Sequence, residues 1–111
     1  MKTGIELIAE ERQRQIEVEG YSKEHDSQHK ASEFIAAANS YTESAVAYAL
    51  KDEEATNDAL TNLLPYLKKS FVWGYDAFKP TNCLRDLIKA GALIAAAIDR
   101  LQIELNNDGN T

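Results

Sequence analysis

Apolar residues recur along this chain at three- and four-residue intervals and nowhere alternate with polar ones over a strand's length, a helical pattern throughout. From Thr3 to about Glu19 the positions Ile5, Ile8, Ala9 and Ile16 share one stripe, and Gly20 ends the segment before a polar loop from Ser22 to Lys30. A second helix is expected from about Ala31 to Leu50, with Phe34, Ile35, Ala38, Tyr41, Ala45, Tyr48 and Ala49 facing inward. Lys51 to Glu54 reads as a solvated turn, followed by a weaker helix from Ala55 to Lys69 that Pro65 should kink or split. Phe71 to Pro80, aromatic-rich and punctuated by Gly74 and Pro80, reads as a structured loop. Thr81 or Asn82 then caps a last helix whose stripe is Leu84, Leu87, Ile88, Gly91, Ile94, Ala95, Ile98, Leu101 and Leu105.

These elements predict an all-α, antiparallel helical bundle: a single domain over residues 1–106, with 107–111 a disordered polar tail. The helix starting near Ala31 should lie along the one starting near Asn82, with the small residues Ala38, Ala45, Gly91 and Ala95 allowing close contact. Leu87, Ile88, Ile94 and Ile98 are expected to be buried.

Composition narrows the function classes. A chain of 111 residues with 44% hydrophobic and 27% charged residues has ordinary globular usage. Its net charge of −6 works against a sequence-independent grip on duplex nucleic acid, but not against a small polyphosphate neutralised by a cation. The lone Cys83 forms no internal disulfide, the opening residues Met1 to Gly4 lead directly into an amphipathic pattern, and no apolar run is long enough for a membrane span. A cytoplasmic protein without membrane association is expected. The alanine-rich second helix and the aromatic loop leave more apolar surface than a thin bundle covers, so a homo-oligomer is expected as well.

The candidate chemistry gathers at helix entrances. His25, Asp26 and His29 precede the second helix, Glu33 lies one turn inside it, and Asp86 opens the last helix. Oxygen ligands suit Mg²⁺, which favours Glu33, Asp26 and Asp86, whereas a softer ion such as Mn²⁺ would also draw on His25 and His29. Ordinary structure explains the same residues: a solvated loop, and two first-turn acids that complement helix dipoles. The two acids become a site only if their helices bring them together. Arg12, Arg14, Arg85 and Lys89 are candidate phosphate ligands, with Lys79 beside them, although Lys89 is also placed for a local ion pair with Asp86. Trp73, Tyr75 and Phe78 can either stack on a base or plug the end of the bundle.

Glu11-Arg12-Gln13-Arg14-Gln15, Glu19-Gly20-Tyr21, Glu24-His25-Asp26-Ser27-Gln28-His29, Glu33, the Trp73 to Pro80 loop, Arg85 to Ile94 and Ile98-Asp99-Arg100-Leu101 together resemble a family of small phage and prophage proteins. That family is distantly similar to the MazG-like all-α nucleotide pyrophosphohydrolases. The resemblance implies Mg²⁺-dependent hydrolysis of a (deoxy)nucleoside triphosphate to the monophosphate and pyrophosphate, with carboxylates of an ExxE helix and a later ExxD helix holding the metal. Glu33 matches the first helix acid and Asp86 the last, so Glu33, Asp86 and Lys89 become the implied catalytic residues. Arg12, Arg85, Trp73 and Lys79 become the implied nucleotide contacts. Ala36 and Cys83 stand where the other two acids would be. Either His25, Asp26 and His29 replace those acids, or the scaffold persists without catalysis, as a phage accessory protein that binds a host protein or a nucleotide.

Overall fold

Thr3 begins the first helix through a reciprocal cap: its hydroxyl accepts from the Glu6 N–H (3.2 Å) and the Glu6 carboxylate accepts from the Thr3 N–H (3.3 Å). The computed structural model describes residues 1–18, 29–50 and 56–109, and of residues 56–60, 108 and 109 the backbone alone. Among the described residues four helices follow in order: α1 (Gly4–Glu17), α2 (Ala31–Ala49), α3 (Thr56–Ser70) and α4 (Cys83–Gly109), with a single 3-10 turn at Tyr75–Ala77 between α3 and α4. Among the described residues there is no strand. The expected stop at Gly20 and the turn at 51–54 lie outside the described residues.

Helix α3 runs through Pro65 as one helix, so of the expected kink or split the split does not occur, and α4 continues past Asn106 to Gly109, where a frayed tail is expected. Asn82 caps α4, its side-chain oxygen accepting from the Arg85 N–H at 2.8 Å. Between α3 and α4, Gly74 takes φ 101°, a left-handed conformation that suits glycine, and this turn sends the loop back over the helices.

Helices α2 and α4 are antiparallel. Near the start of α2 the Ala31 N–H donates to Glu104 of α4 (3.0 Å), and near its end the Ser44 hydroxyl donates to Asp86 (2.7 Å). Between these ties the contact is built from small side chains, with Ala37, Ala38 and Ala45 on one helix and Ala90, Ala96 and Ala97 on the other, all buried. One end of this seam is filled by aromatic rings: Phe71 stacks on Phe78 (5.0 Å between centroids), Tyr41 lies 4.8 Å from Phe78, and Phe34 and Leu93 complete the cluster. The loop therefore plugs the bundle through Phe71 and Phe78, while Tyr75 stays exposed.

The close approach of α2 and α4 turns the large aliphatic stripe of α4 outward. Leu87, Ile94 and Ile98 are expected in the core, yet they are 48%, 48% and 53% exposed, and Ile88 is only half-buried. Ile35 of α2 is exposed too. Alanine faces let two helix axes come together where leucine faces hold them apart, so the small-residue side of α4 meets α2 and the stripe is left at the surface.

Helix α1 packs on a separate flank of α4, where Gly91 is required. A Cβ built on Gly91 would lie 2.5 Å from Ile8 Cδ1 and 2.7 Å from Ile8 Cγ1. Gly91→Ala gains about 1 kcal/mol of helix propensity and loses about 1–3 kcal/mol to overpacking, so a net loss of stability is expected. Adding Ile8→Ala should recover part of it. Thermal melts of the two single variants and the double variant check this: strict additivity would mean that the two side chains do not meet.

Candidate functional site

The inner face of α1 continues as polar side chains where its apolar stripe ends. Ile8, Glu11 and Gln15 follow one another at helical spacing, and Glu11 and Gln15 are only 2% and 4% exposed. A carboxylate at such depth needs partners. Arg14 supplies two, Nε to Oε1 and Nη2 to Oε2, both at 2.8 Å; Arg85 reaches across from α4 to Oε1; and Gln15 donates its Nε2 to Oε2 at 3.2 Å. Burial pushes the Glu11 carboxyl up, but the hydrogen bond from Arg14 and the charges of Arg85 and Arg14 outweigh it and hold it below the usual carboxylate range.

Beside this cluster opens a cavity of about 40 Å³, walled by Glu11, Arg14 and Gln15 of α1, Tyr41 of α2, Phe71, Trp73 and Lys79 of the loop, and Lys89 and Leu93 of α4. Lys89 donates its ammonium to the Lys79 carbonyl (2.8 Å) and lies 5.4 Å from the centre of the Tyr41 ring. Its pKa is drawn below the ordinary lysine value chiefly by burial, which outweighs the opposing pull of Asp86; Arg85 and Arg14 lower it further, and Glu11 counteracts them. A half-buried lysine and an arginine thus flank one small cavity, with Tyr41 and Phe71 buried in its wall and Trp73 half-buried beside them, a combination suited to a small anionic group.

Trp73 links this cavity to Glu33. Its Nε1 donates to Glu33 Oε1 (3.3 Å), His29 Nδ1 lies 3.0 Å from the same oxygen, and the His29 and Trp73 rings are 5.1 Å apart. Glu33 Oε2 accepts from the Lys30 N–H (2.8 Å), and this bond, followed by those of His29 and Trp73, holds Glu33 below the usual carboxylate range. Glu33 thus both caps α2 and anchors the rim of the cavity.

Glu33 and Asp86 do not converge. Asp86 meets α2 at Ser44, three turns after Glu33, which is roughly 16 Å along the helix axis. Asp86 is fully buried, and both of its oxygens are engaged, Oδ2 by Ser44 and Oδ1 by the Thr81 N–H (2.9 Å). Such a carboxylate fits a structural tie, and the expected Glu33–Asp86 metal pair does not fit this fold. Among the described residues there is no group of three or more His, Cys, Asp or Glu arranged to hold a metal ion. His25 and Asp26 lie outside the described residues. Arg12 of α1 is 3.8 Å from Asp99 of α4 and does not line the cavity, whereas Arg14 does.

Of the residues expected to act, Lys89, Trp73 and Lys79 meet at the cavity, Arg85 reaches its Glu11 wall, and Glu33 and His29 sit at its Trp73 side. Glu11, Gln15 and Tyr41 are cavity residues absent from the sequence reading of the site. A signal for the first two existed: both extend the Ile8 stripe at three- and four-residue spacing, so a helix that buries Ile8 buries them as well.

Glu11→Gln should lower stability by about 1–2 kcal/mol near neutral pH, the modest size reflecting water's access to both guanidiniums. Because the folded pKa is depressed, the stabilisation is complete above the ordinary glutamate range and disappears as pH falls through the lowered value. Denaturant titrations from neutral to acid pH should therefore show the wild-type and Glu11→Gln curves converging at the acid end. A constant gap at all pH values would mean that the Glu11 charge contributes nothing.

With protein-family models, curated proteins and solved structures alike, comparison of this chain returns no match.

Proposed function

We propose that this protein binds a nucleoside triphosphate across the mouth of the cavity between α1, α2, the Phe71 to Pro80 loop and α4, whose interior of about 40 Å³ admits no more than a small group of the ligand, and hydrolyses it to the monophosphate and pyrophosphate with a divalent metal, as its resemblance to the phage and prophage family and to MazG-like enzymes implies. The observation that carries the reading is the meeting of Arg14 and Lys89 with Trp73 and Tyr41 around one cavity. In a chain of net charge −6, cations at one concave site act as a local exception that draws phosphate. The all-helical architecture is consistent with a MazG-like bundle.

Within this proposal Lys89 and Arg14 neutralise phosphate oxygens, Arg85 keeps Glu11 in place, and Trp73 offers a ring face to the base. The implied Mg²⁺ or Mn²⁺ would draw on Glu33 and His29, with His25 and Asp26 adjacent in sequence, and its binding would replace the bonds that Glu33 now makes to His29, Trp73 and the Lys30 N–H. When bound, the metal supplies polarisation of the phosphoryl oxygens. The alternative is an accessory protein that binds a nucleotide or a host protein without cleaving it, favoured by the full engagement of Asp86 in structural bonds.

Pyrophosphate release from a panel of ribo- and deoxynucleoside triphosphates with Mg²⁺ or Mn²⁺ separates the two. Turnover that drops at least tenfold in Lys89→Met supports hydrolysis; binding without turnover supports the accessory protein. Triphosphate affinity should fall as pH rises through the lowered Lys89 pKa, earlier than an ordinary lysine would allow. An affinity that stays flat to the ordinary lysine range would remove Lys89 from the site.

The proposal includes self-association. Ile35, Ile94, Ile98 and Leu101 line an open groove of about 320 Å³ between α2 and α4, and Leu87 and Leu105 extend the same apolar face of α4. Faces of this kind on small proteins commonly serve as contacts. Light scattering at micromolar concentration should report a dimer or larger species, and Ile98→Asp should reduce it to a monomer. A wild-type monomer across that range would discard this part.

A further inference from the structure

One buried polar atom at the cavity has no protein partner. Gln15 is 4% exposed and lines the cavity, yet its Oε1 accepts no hydrogen bond from any side chain or backbone group. The side chain cannot simply be turned over. Its Nε2 donates to the Glu11 carboxylate (3.2 Å), and a flipped amide would set oxygen against oxygen there. Glu11 is in turn clamped by Arg14 and Arg85, so the orientation of Gln15 is imposed by a charged cluster spanning two helices. Folded proteins meet nearly every buried carbonyl oxygen, and they use ordered water where no protein donor reaches it.

Size and charge together select the occupant. The cavity measures about 40 Å³, and Tyr41, Phe71 and Leu93 close its apolar part. A water needs about 10–15 Å³ of such space, and it settles only where polar groups surround it. Gln15 Oε1 requires a donor, which turns away a halide or a carboxylate. Arg14 and Lys89 on the same wall turn away ammonium and metal ions. A neutral molecule of this size that both donates and accepts is water.

From this we infer that a bound water is a fixed part of this fold, donating to Gln15 Oε1 on α1 and accepting from the Lys89 ammonium on α4. The ammonium carries three hydrogens, and one goes to the Lys79 carbonyl (2.8 Å), so it retains donors for the water. Gln15 and Lys89 line the same cavity from different helices, and the water joins them where no direct bond does. It gives Lys89 a second tether, on the α1 side, beside the one it has in the loop. Glu11 acts here as a positioning residue, because its carboxylate keeps the oxygen of Gln15 turned toward the cavity. The inference stands apart from the nucleotide reading, since it concerns the protein without ligand.

High-resolution crystallography and water–protein NOE spectroscopy of the ligand-free protein test this. In the wild type, density for one water should lie within hydrogen-bonding distance of both Gln15 Oε1 and Lys89 Nζ. The Gln15 side-chain amide protons should show water NOEs of the sign that marks residence longer than the tumbling time of the protein. Gln15→Met, and Gln15→Leu as a second apolar replacement, should lose the water while melting within a few degrees of wild type, because the lost Nε2 bond is offset by removal of the orphan oxygen. Lys89→Met, which leaves Gln15 intact, should weaken the density and reverse the sign of the NOE. A wild-type cavity with neither density nor long-lived NOE overturns the inference. A water that keeps its place in both Gln15 variants overturns the role of Gln15, and one unchanged in Lys89→Met overturns the bridge to α4. Density that grows with added salt would identify an anion and overturn the assignment to water.

Discussion

The buried carboxylate of Asp86 joins three parts of the chain. By accepting from Ser44 on α2 and from the Thr81 backbone ahead of α4, it sets the register of the antiparallel pair and the entry of the loop at once. A carboxyl side chain buried from solvent is tolerated only when its polar atoms are met, so the geometry around it is demanding. Lys89, one turn further along α4, then falls against the Lys79 carbonyl and over the Tyr41 ring, and Tyr41 accepts from the Lys79 N–H (3.0 Å). The cavity inherits its shape from that register.

A second carboxylate does the complementary work on the other flank. Glu11 is as secluded as Asp86 but is satisfied by guanidiniums, which fastens α1 to α4 through charge. With α1 thinly apolar and its Ile5 exposed, much of what orients that helix is this cluster together with the Ile8 contact at Gly91. The two acids differ in consequence: one organises backbone register, the other organises the polar wall of a cavity. Neither is disposed like a shared metal ligand, and the functional reading accordingly moves from a Glu33–Asp86 pair to the cavity between α1, Trp73 and Lys89.

The helices and the pairing of α2 with α4 are legible in the sequence because periodicity and capping are local properties. Thr3, Asn82 and Gly74 act where their chemistry says they should. Lys89, Trp73 and Lys79 are legible as candidates because a cation beside an aromatic loop suggests an anion with a ring. The stripe of α4 misleads for a physical reason: periodicity locates an apolar face without saying whether the same chain covers it. Where two helices meet through alanine, the larger residues lie off the contact, and Ile94 and Ile98 end at the surface.

What the sequence by itself determined is the set of helices, the net acidity and the residue types available for phosphate chemistry, since each depends on neighbours within a few positions. Tertiary structure alone decided that Asp86 lies opposite Ser44 and not Glu33, that Arg14 rather than Arg12 reaches the cavity, and that Glu11 and Gln15 are interior. Those outcomes depend on which helix faces meet and in what register, and contacts between residues 11 and 85 or 44 and 86 leave no local periodic trace.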